Sequence, residues 1–437
     1  MSIPKTLSLI LSTVPVLASL LVTFRLRQPT TPAWWMLKVF SSALSPIMLL
    51  IGLLCLALGL IWTMPLLIAL GVYSGAVFLV HIFKVTRGPD KATGFEKAFG
   101  RGWQNGIPAE RKKFFLGRRF VLGWPTVPDP IFTQNIPFHQ IPNTDRQLFC
   151  DVWEPSDKTT RSGLAFVYLH GSAWTHLDKD FGTRLFFRHL TSQGHVIMDV
   201  AHRLFPETNM LGMVHDAKNA IAWIKKNAAK YQVNPDRIVI GGGSSGGHLS
   251  MLASYTDNKL LTQSELTEKD LSVRGVINMY GPPDLKALYY HTAQHITSQN
   301  DESHKGKPSA MPVWIRKIMG DNYHRLGMDK TVAPGMLAPM LGGHPADKPE
   351  AYALFSPINH VHAGCPPTLL ILGEHDIITP VSATAGLTAR LQDLKVPVVM
   401  HLFPQTDHGF DLVLPRISLS AGKAVHDVEC FLALMCR

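Results

Sequence analysis

The chain is poor in cysteine. Its 437 residues hold five, Cys55, Cys150, Cys365, Cys430 and Cys436, scattered without a metal-ligand spacing or a disulfide framework. No metal and no cofactor is expected from them, and reduced, buried thiols are the simplest reading. No Asn-x-Ser/Thr acceptor occurs, which argues against a lumenal or secreted catalytic part. No zinc-finger spacing, nucleic-acid motif or internal repeat is visible, so the net charge of +10 does not point to nucleic acid. The most informative absence is of charge itself, over two long stretches near the amino terminus.

Residues 6–24, TLSLILSTVPVLASLLVTF, carry no charge. At 1.5 Å per residue a helix of that length spans roughly 30 Å, the hydrocarbon core of a bilayer. A cleaved signal peptide would be shorter and end in small residues. Here FRLRQPTTPAWW follows instead. Residues 39–83 are also uncharged, about twice what one span needs, with Pro65 near the middle at a natural helix start. The pattern predicts three spanning helices over about 6–24, 43–62 and 65–83. With an odd count, the segment 25–38 (Arg25, Arg27, Lys38) and the strongly basic segment after residue 83 lie on one side. The positive-inside rule puts that side in the cytosol. The expectation is a multi-pass protein, of the endoplasmic reticulum, whose partner is the lipid bilayer and whose remaining chain faces the cytosol. Residues 84–130 then read as a basic linker, a cap or an interfacial segment, with Trp103, Phe114, Phe115 and Trp124 among its cations.

From residue 131 onward, short aliphatic runs alternate with helical periodicity. LAFVYLHG, HVIMDVAHR, RIVIGG, GVINMYG, TLLILGEHD and VPVVMHLF read as strands. MVHDAKNAIAWIKKNAAKY, GHLSMLASY and GKAVHDVECFLALM read as helices. Continuous apolar strands between helices imply an α/β fold: a mostly parallel sheet covered on both faces. Such sheets place ligands at the carboxyl ends of their strands. Those ends carry His170-Gly171-Ser172-Ala173-Trp174, Arg203 with Glu207, Ser244-Ser245, Gly373-Glu374-His375-Asp376 and Asp407-His408-Gly409. G-x-S-x-G fits either serine, as Gly242-x-Ser244-x-Gly246 or Gly243-x-Ser245-x-Gly247. Serine, then acid, then histidine, each after a strand, is the chain order of an α/β-hydrolase. The acid is Asp376 or Glu374. Among twenty histidines, His408 stands out by place, with His375 and His401 as alternatives.

These segments resemble the α/β-hydrolase superfamily, in particular hormone-sensitive-lipase-like and kynurenine-formamidase-like esterases. HGSAW resembles their HGG(G/A)W oxyanion segment, MDVAHRLFPE their strand ending in D-Y-R-L-A-P-E, GGSSGGHL their G-x-S-A-G-G, and LGEHD and DHGF their acid and histidine segments. The likeness covers about residues 145–437. The departures are Ser172 for glycine, His202 for tyrosine and Ser245 for alanine.

The resemblance implies Ser244 as nucleophile, because a small residue and two glycines follow it. It implies Asp376 and His408 as acid and base, and backbone N–H groups of Gly171, Ser172 and Ser245 as the oxyanion hole. Only the backbone of Ser245 would be used. Arg203 and Glu207 are expected to pair, and Trp174 to pack or to line the pocket. An insertion, about 284–350, separates nucleophile from acid. It contains a polar, His-bearing stretch and a lid-helix candidate, MPVWIRKIMGDNYHRLGM. The activity implied is hydrolysis of a carboxylic ester of an apolar small molecule: an acetyl, methyl or lactone ester. Membrane helices of this kind occur with prenylcysteine methylesterases and arylacetamide deacetylases, and similar hydrolases occur in fungal natural-product pathways. Acyl transfer by the same residues and a catalytically dead binding module are the rival readings.

Overall fold

The structure is a computed structural model, describing residues 3–26, 32–117, 123–257, 259–293 and 332–437. Arg27, Arg118, Arg119, the polar, His-bearing stretch of the insertion from residue 294 onward and its lid-helix candidate lie outside the described residues.

Eight strands form one sheet: β1 Ile131–Gln140, β2 Gln147–Glu154, β3 Ala165–Leu169, β4 Val196–Val200, β5 Ile238–Gly243, β6 Gly275–Met279, β7 Thr368–Gly373 and β8 Val398–Phe403. Their order is β1-β2-β4-β3-β5-β6-β7-β8. β1 and β2 form an antiparallel edge, and β2 meets β4 antiparallel; every other pairing is parallel. Strand side chains alternate between two layers. Val167, Val196 and Ile240 pack towards Val214 and Ile221 of helix Met210–Lys226 and Leu249 of helix Ser245–Tyr255. Phe166, Ile197 and Val239 pack towards Phe187 of helix Arg184–Thr191 and Val428 and Phe431 of helix Leu419–Met435. Both faces are dry, which is why these strands read as continuous apolar runs.

The amino-terminal part folds as α1 Ile3–Thr23, α2 Pro32–Ala43, α3 Ser45–Ile61 and α4 Pro65–Val85. By length and composition α1 and α4 can each cross a membrane; α2 and α3, bent by 74° against one another, make a third crossing if taken as one span. The α3–α4 hairpin is close because glycines permit it. A Cβ on Gly71 would stand 2.5 Å from the Leu56 nitrogen, and one on Gly59 2.8 Å from the Ile68 nitrogen. Leu7, Val14, Leu50, Leu53, Val72 and Leu79 point outward.

Residues 25–38 differ from the simple connecting segment expected. A helix begins at Pro32, and Lys38 within it is completely buried. The basic linker also takes a definite place. Phe95 stacks on Trp103, with ring centroids 4.6 Å apart, and Phe115 meets the edge of His426 on helix Leu419–Met435. The Leu116 N–H donates to the Glu429 carboxylate at 3.0 Å. These contacts seat the segment on the outer face of that helix.

Candidate active site

The carboxyl ends of β3, β5, β7 and β8 converge, and the loops that follow them carry the residues singled out above. The turn after β5 comes first. Ser244 has φ 51° and ψ −123°, a strained conformation for a residue with a Cβ. Its flanks must be glycine. A Cβ on Gly242, or on Gly246, would lie 2.0 Å from the Leu169 carbonyl oxygen, well inside van der Waals contact. The turn thus lifts Ser244 out of the sheet at the start of helix Ser245–Tyr255. Ser245, the competing serine, is fully buried beneath it.

The Ser244 Oγ lies 2.9 Å from His408 Nε2. On the other side of the ring, His408 Nδ1 lies 3.0 Å from Asp376 Oδ2 and 3.1 Å from Oδ1. Hydroxyl, imidazole and carboxylate therefore form one hydrogen-bonded line across loops separated by 132 and 164 residues in the chain, counted from 376 and 408 back to 244. The alternatives lie elsewhere. His401 pairs with Asp427, which Lys423 also contacts, inside the core. Glu374 accepts the Gln405 N–H at 3.0 Å. His375 receives Lys38.

Several groups that the sequence did not single out hold this line in place. Asp376 Oδ1 also accepts the N–H groups of Ile378 and Thr379, at 2.8 and 2.7 Å. Asp407 Oδ1 accepts those of Ile377 and His408, at 2.9 and 2.8 Å, lacing the Asp376 loop to the His408 loop. Tyr280 packs its ring edge against His408, centroids 4.7 Å apart. The only signal for Asp407 was its adjacency to His408; Tyr280 had none.

Electrostatics follow from burial and charge. Burial opposes a protonated His408, but the Asp376 carboxylate, with Asp407 and Asp411 behind it, outweighs burial and raises the imidazole above its ordinary 6.5. Burial first, and then the neighbouring Asp376, push the Asp407 carboxyl up to about 6.

The oxyanion segment departs from expectation. The Ser172 N–H does not stand free for a developing oxyanion. It donates to the Ser245 Oγ at 2.8 Å, and the two hydroxyls lie 2.9 Å apart. The reason is the paired departure from the family pattern: with serine at both 172 and 245, each side chain reaches the other. Gly171 does approach Ser244, since a Cβ on it would be 3.4 Å from the Ser244 Cβ. Among the described residues the N–H groups of Gly171, Ala173 and Ser245 carry no backbone hydrogen bond.

Trp174 is packing. It is buried, and its indole N–H donates to His248 Nδ1 at 3.2 Å. The expected Arg203–Glu207 pair does not form. Arg203 instead grips the buried Asp216, 2.6 Å from Nη2 to Oδ1, where Asp216 lies six residues into helix Met210–Lys226. Glu207 pairs at the surface with Arg146. His202 stacks on His170 with centroids 4.3 Å apart, and burial holds both rings neutral, His170 at about 4. A cavity of about 320 Å³ lies beyond them, lined by Thr175, Leu177, His202 and Phe205 among others; Ser244, Asp376 and His408 do not line it. All five cysteines are buried, and none is in a disulfide.

Comparison with known proteins adds the lineage. Residues 150–391 match the BD-FAE family. The chain is 29% identical over 288 residues to a probable carboxylic ester hydrolase, LipM, of Mycobacterium tuberculosis, covering 65% of this chain and 57% of that one. It is 28% identical over 291 residues to esterase LipC of the same organism, covering 66% and 62%. The chain thus spans about three-fifths of the length of these curated relatives. Among solved structures, a truncated carbohydrate esterase from gut microbiota superposes with a TM-score of 0.50 at 20% identity, over 71% of this chain and 99% of that one, a likeness of fold. The family match covers more than half of the sequence and includes both the serine turn and the acid loop: this chain belongs to the BD-FAE family and has the α/β-hydrolase fold, with apolar helices at its amino terminus.

Proposed function

We propose that the chain is a membrane-anchored serine hydrolase that cleaves a carboxylic ester of an apolar small molecule. The observation that carries this reading is the continuous line Ser244–His408–Asp376, with spacings of 2.9 and 3.0 Å. The esterase names of LipM and LipC support the reaction class.

In this mechanism His408 Nε2 takes the Ser244 proton as Oγ attacks the ester carbonyl carbon. Asp376 fixes the tautomer through Nδ1 and stabilises the imidazolium. The negative charge that forms on the carbonyl oxygen meets the N–H groups of Ser245, at the positive end of its helix, and of Gly171 and Ala173. One such donor is worth on the order of 3 kcal/mol in the transition state. Collapse returns the proton to the leaving alkoxide and leaves an acyl-serine. Water, deprotonated by His408, then releases the acid and regenerates Ser244. No cofactor enters. Acetyl, methyl and lactone esters, such as natural-product pathways carry, all suit this chemistry.

Residues 1–83 anchor the enzyme in the endoplasmic reticulum, residues 84–130 link, and residues 131–437, including the insertion at about 284–350, form the catalytic unit. The length and apolarity of α1 and α4 support the anchor. The basic run that follows α4 supports a cytosolic face.

The test is fluorophosphonate labelling of the full chain in detergent, with turnover of short and long acyl esters and product analysis with and without added alcohol. Wild type labels and releases free acid; Ser244→Ala does neither, a loss on the order of 10⁴–10⁶ in turnover. Labelling that survives Ser244→Ala would refute the assignment.

A further inference from the structure

Lys38 is a cation that should not be buried, yet it is fully enclosed. Burying an ammonium is tolerated only when its donors are met. Here all three are. Lys38 Nζ donates to the Leu21 and Phe24 carbonyls, at 2.9 and 2.6 Å, and to His375 Nδ1 at 3.0 Å. The two carbonyls belong to the carboxyl end of α1, where unpaired oxygens and the helix dipole both favour a cation. The third acceptor is the ring next to Asp376. Burial, then Lys38 and Arg25, pull the His375 pKa down to about 4, so its Nδ1 is free to accept.

Lys38 does not act alone. Arg25, just past α1, donates to the Glu374 carbonyl at 2.8 Å. His81 of α4 lies 3.3 Å from the Gln405 side chain, and the Gln405 N–H in turn binds Glu374. Trp35 of α2 comes within 3.8 Å of where a Cβ on Gly409 would stand. Two of the four apolar helices, α2 and α4, and the residue just past a third therefore touch the loops carrying Asp376 and His408, none further than three residues from those side chains.

We infer that Lys38 and His375 are positioning residues, a hydrogen-bonded strut through which the membrane-side helices hold the acid of the triad in line with His408. The inference rests on the triad reading above and deepens it: the anchor is part of the catalytic geometry, and loosening it at this strut slows the chemistry without weakening substrate binding. His375→Leu removes the acceptor; His375→Asn keeps one at the place of Nδ1; Lys38→Met removes the donor while keeping the stem.

The experiment uses the full chain in nanodiscs, with p-nitrophenyl acetate and a fluorophosphonate as probes. For His375→Leu, kcat and the labelling rate should each fall about ten-fold, the worth of one buried charge-assisted hydrogen bond, while KM stays within about two-fold. His375→Asn should recover most of the loss. The double variant Lys38→Met/His375→Leu should be no slower than the slower single one, since both remove the same contact. The pair at 375 decides the matter even if Lys38→Met does not fold. Unchanged kcat in a folded His375→Leu, or a His375→Asn as slow as the leucine variant, overturns the inference alone. A wild type that neither labels nor turns over overturns it together with the triad reading.

Discussion

Ser244 and its two partners are held in contrasting ways. The serine sits on a turn whose shape is built by its immediate neighbours, with Gly242 and Gly246 each so close to the Leu169 carbonyl that no side chain fits. Asp376 and His408 sit on loops gripped from the far end of the chain, by Arg25, Lys38 and His81, across 349, 337 and 324 positions. A nucleophile turn can be rigid by itself because strain and glycines are local devices. An acid and a base on two separate loops have no such device. They need groups that reach both, and here those groups include Asp407 from within and the amino-terminal helices from outside.

The largest effect expected on the distant side is at the acid. Asp376→Asn keeps an acceptor for the Ile378 and Thr379 N–H groups, so the loop stays folded. It loses the charge that orients and stabilises the His408 imidazolium. Turnover should fall about 10⁴-fold, read by steady-state kinetics, with an unchanged melting temperature. A loss below ten-fold would mean that His408 is oriented by something else, and that the contrast between the two sides is false.

On the local side the expected effect is smaller. The sequence suggested that Ser245 contributes only its backbone. The structure changes that expectation, because the Ser245 hydroxyl holds the Ser172 N–H and Oγ. Ser245→Ala leaves a buried N–H unpaired and frees the segment 171–173. A loss of about ten-fold in kcat, with KM little changed, is the expected result, since one buried hydrogen bond is worth about 1–1.5 kcal/mol. Wild-type kcat in this variant would show that the serine pair does not shape the oxyanion segment.

The same contrast explains what could be read from the sequence. The strand ends, the glycine-flanked serine and the order serine, acid, histidine are local signals, and the structure brings Ser244, Asp376 and His408 within hydrogen-bond reach of one another. What the sequence did not reveal is pairing at a distance. Lys38 read as a basic residue between two spans, because nothing in its neighbourhood shows that three acceptors close around it. Arg203 has Glu207 four positions on, yet Asp216, thirteen positions on, takes it. Ser172 and Ser245 stand in the sequence as two separate departures from a family pattern, and nothing local to either signals their contact across 73 residues.

The smallest effect tests whether Asp407 acts on the base through charge or only through its backbone contacts. In the proposed mechanism His408 must be neutral to accept the Ser244 proton, so kcat/KM should fall as pH drops through its pKa. Because that pKa stands above 6.5, the acid limb of the profile should lie above pH 6.5. The stabilising effect of the protonated ring runs the other way. It is fully present below pH 6.5, the ordinary value, and is lost as pH rises through the raised pKa. Asp407 is one cause of the rise, and its own carboxyl, at about 6, is mostly ionised at neutral pH. Asp407→Asn keeps the Oδ1 acceptor for the Ile377 and His408 N–H groups and removes only the charge. The imidazolium loses a stabilising neighbour, so the limb should move to lower pH, by roughly half a unit for a charge with its own partial screening. Activity at pH 6 should then rise slightly relative to activity at pH 8. A limb that stays where it is would assign Asp407 to backbone positioning alone. A limb that moves up would mean that Asp376, not His408, had been disturbed.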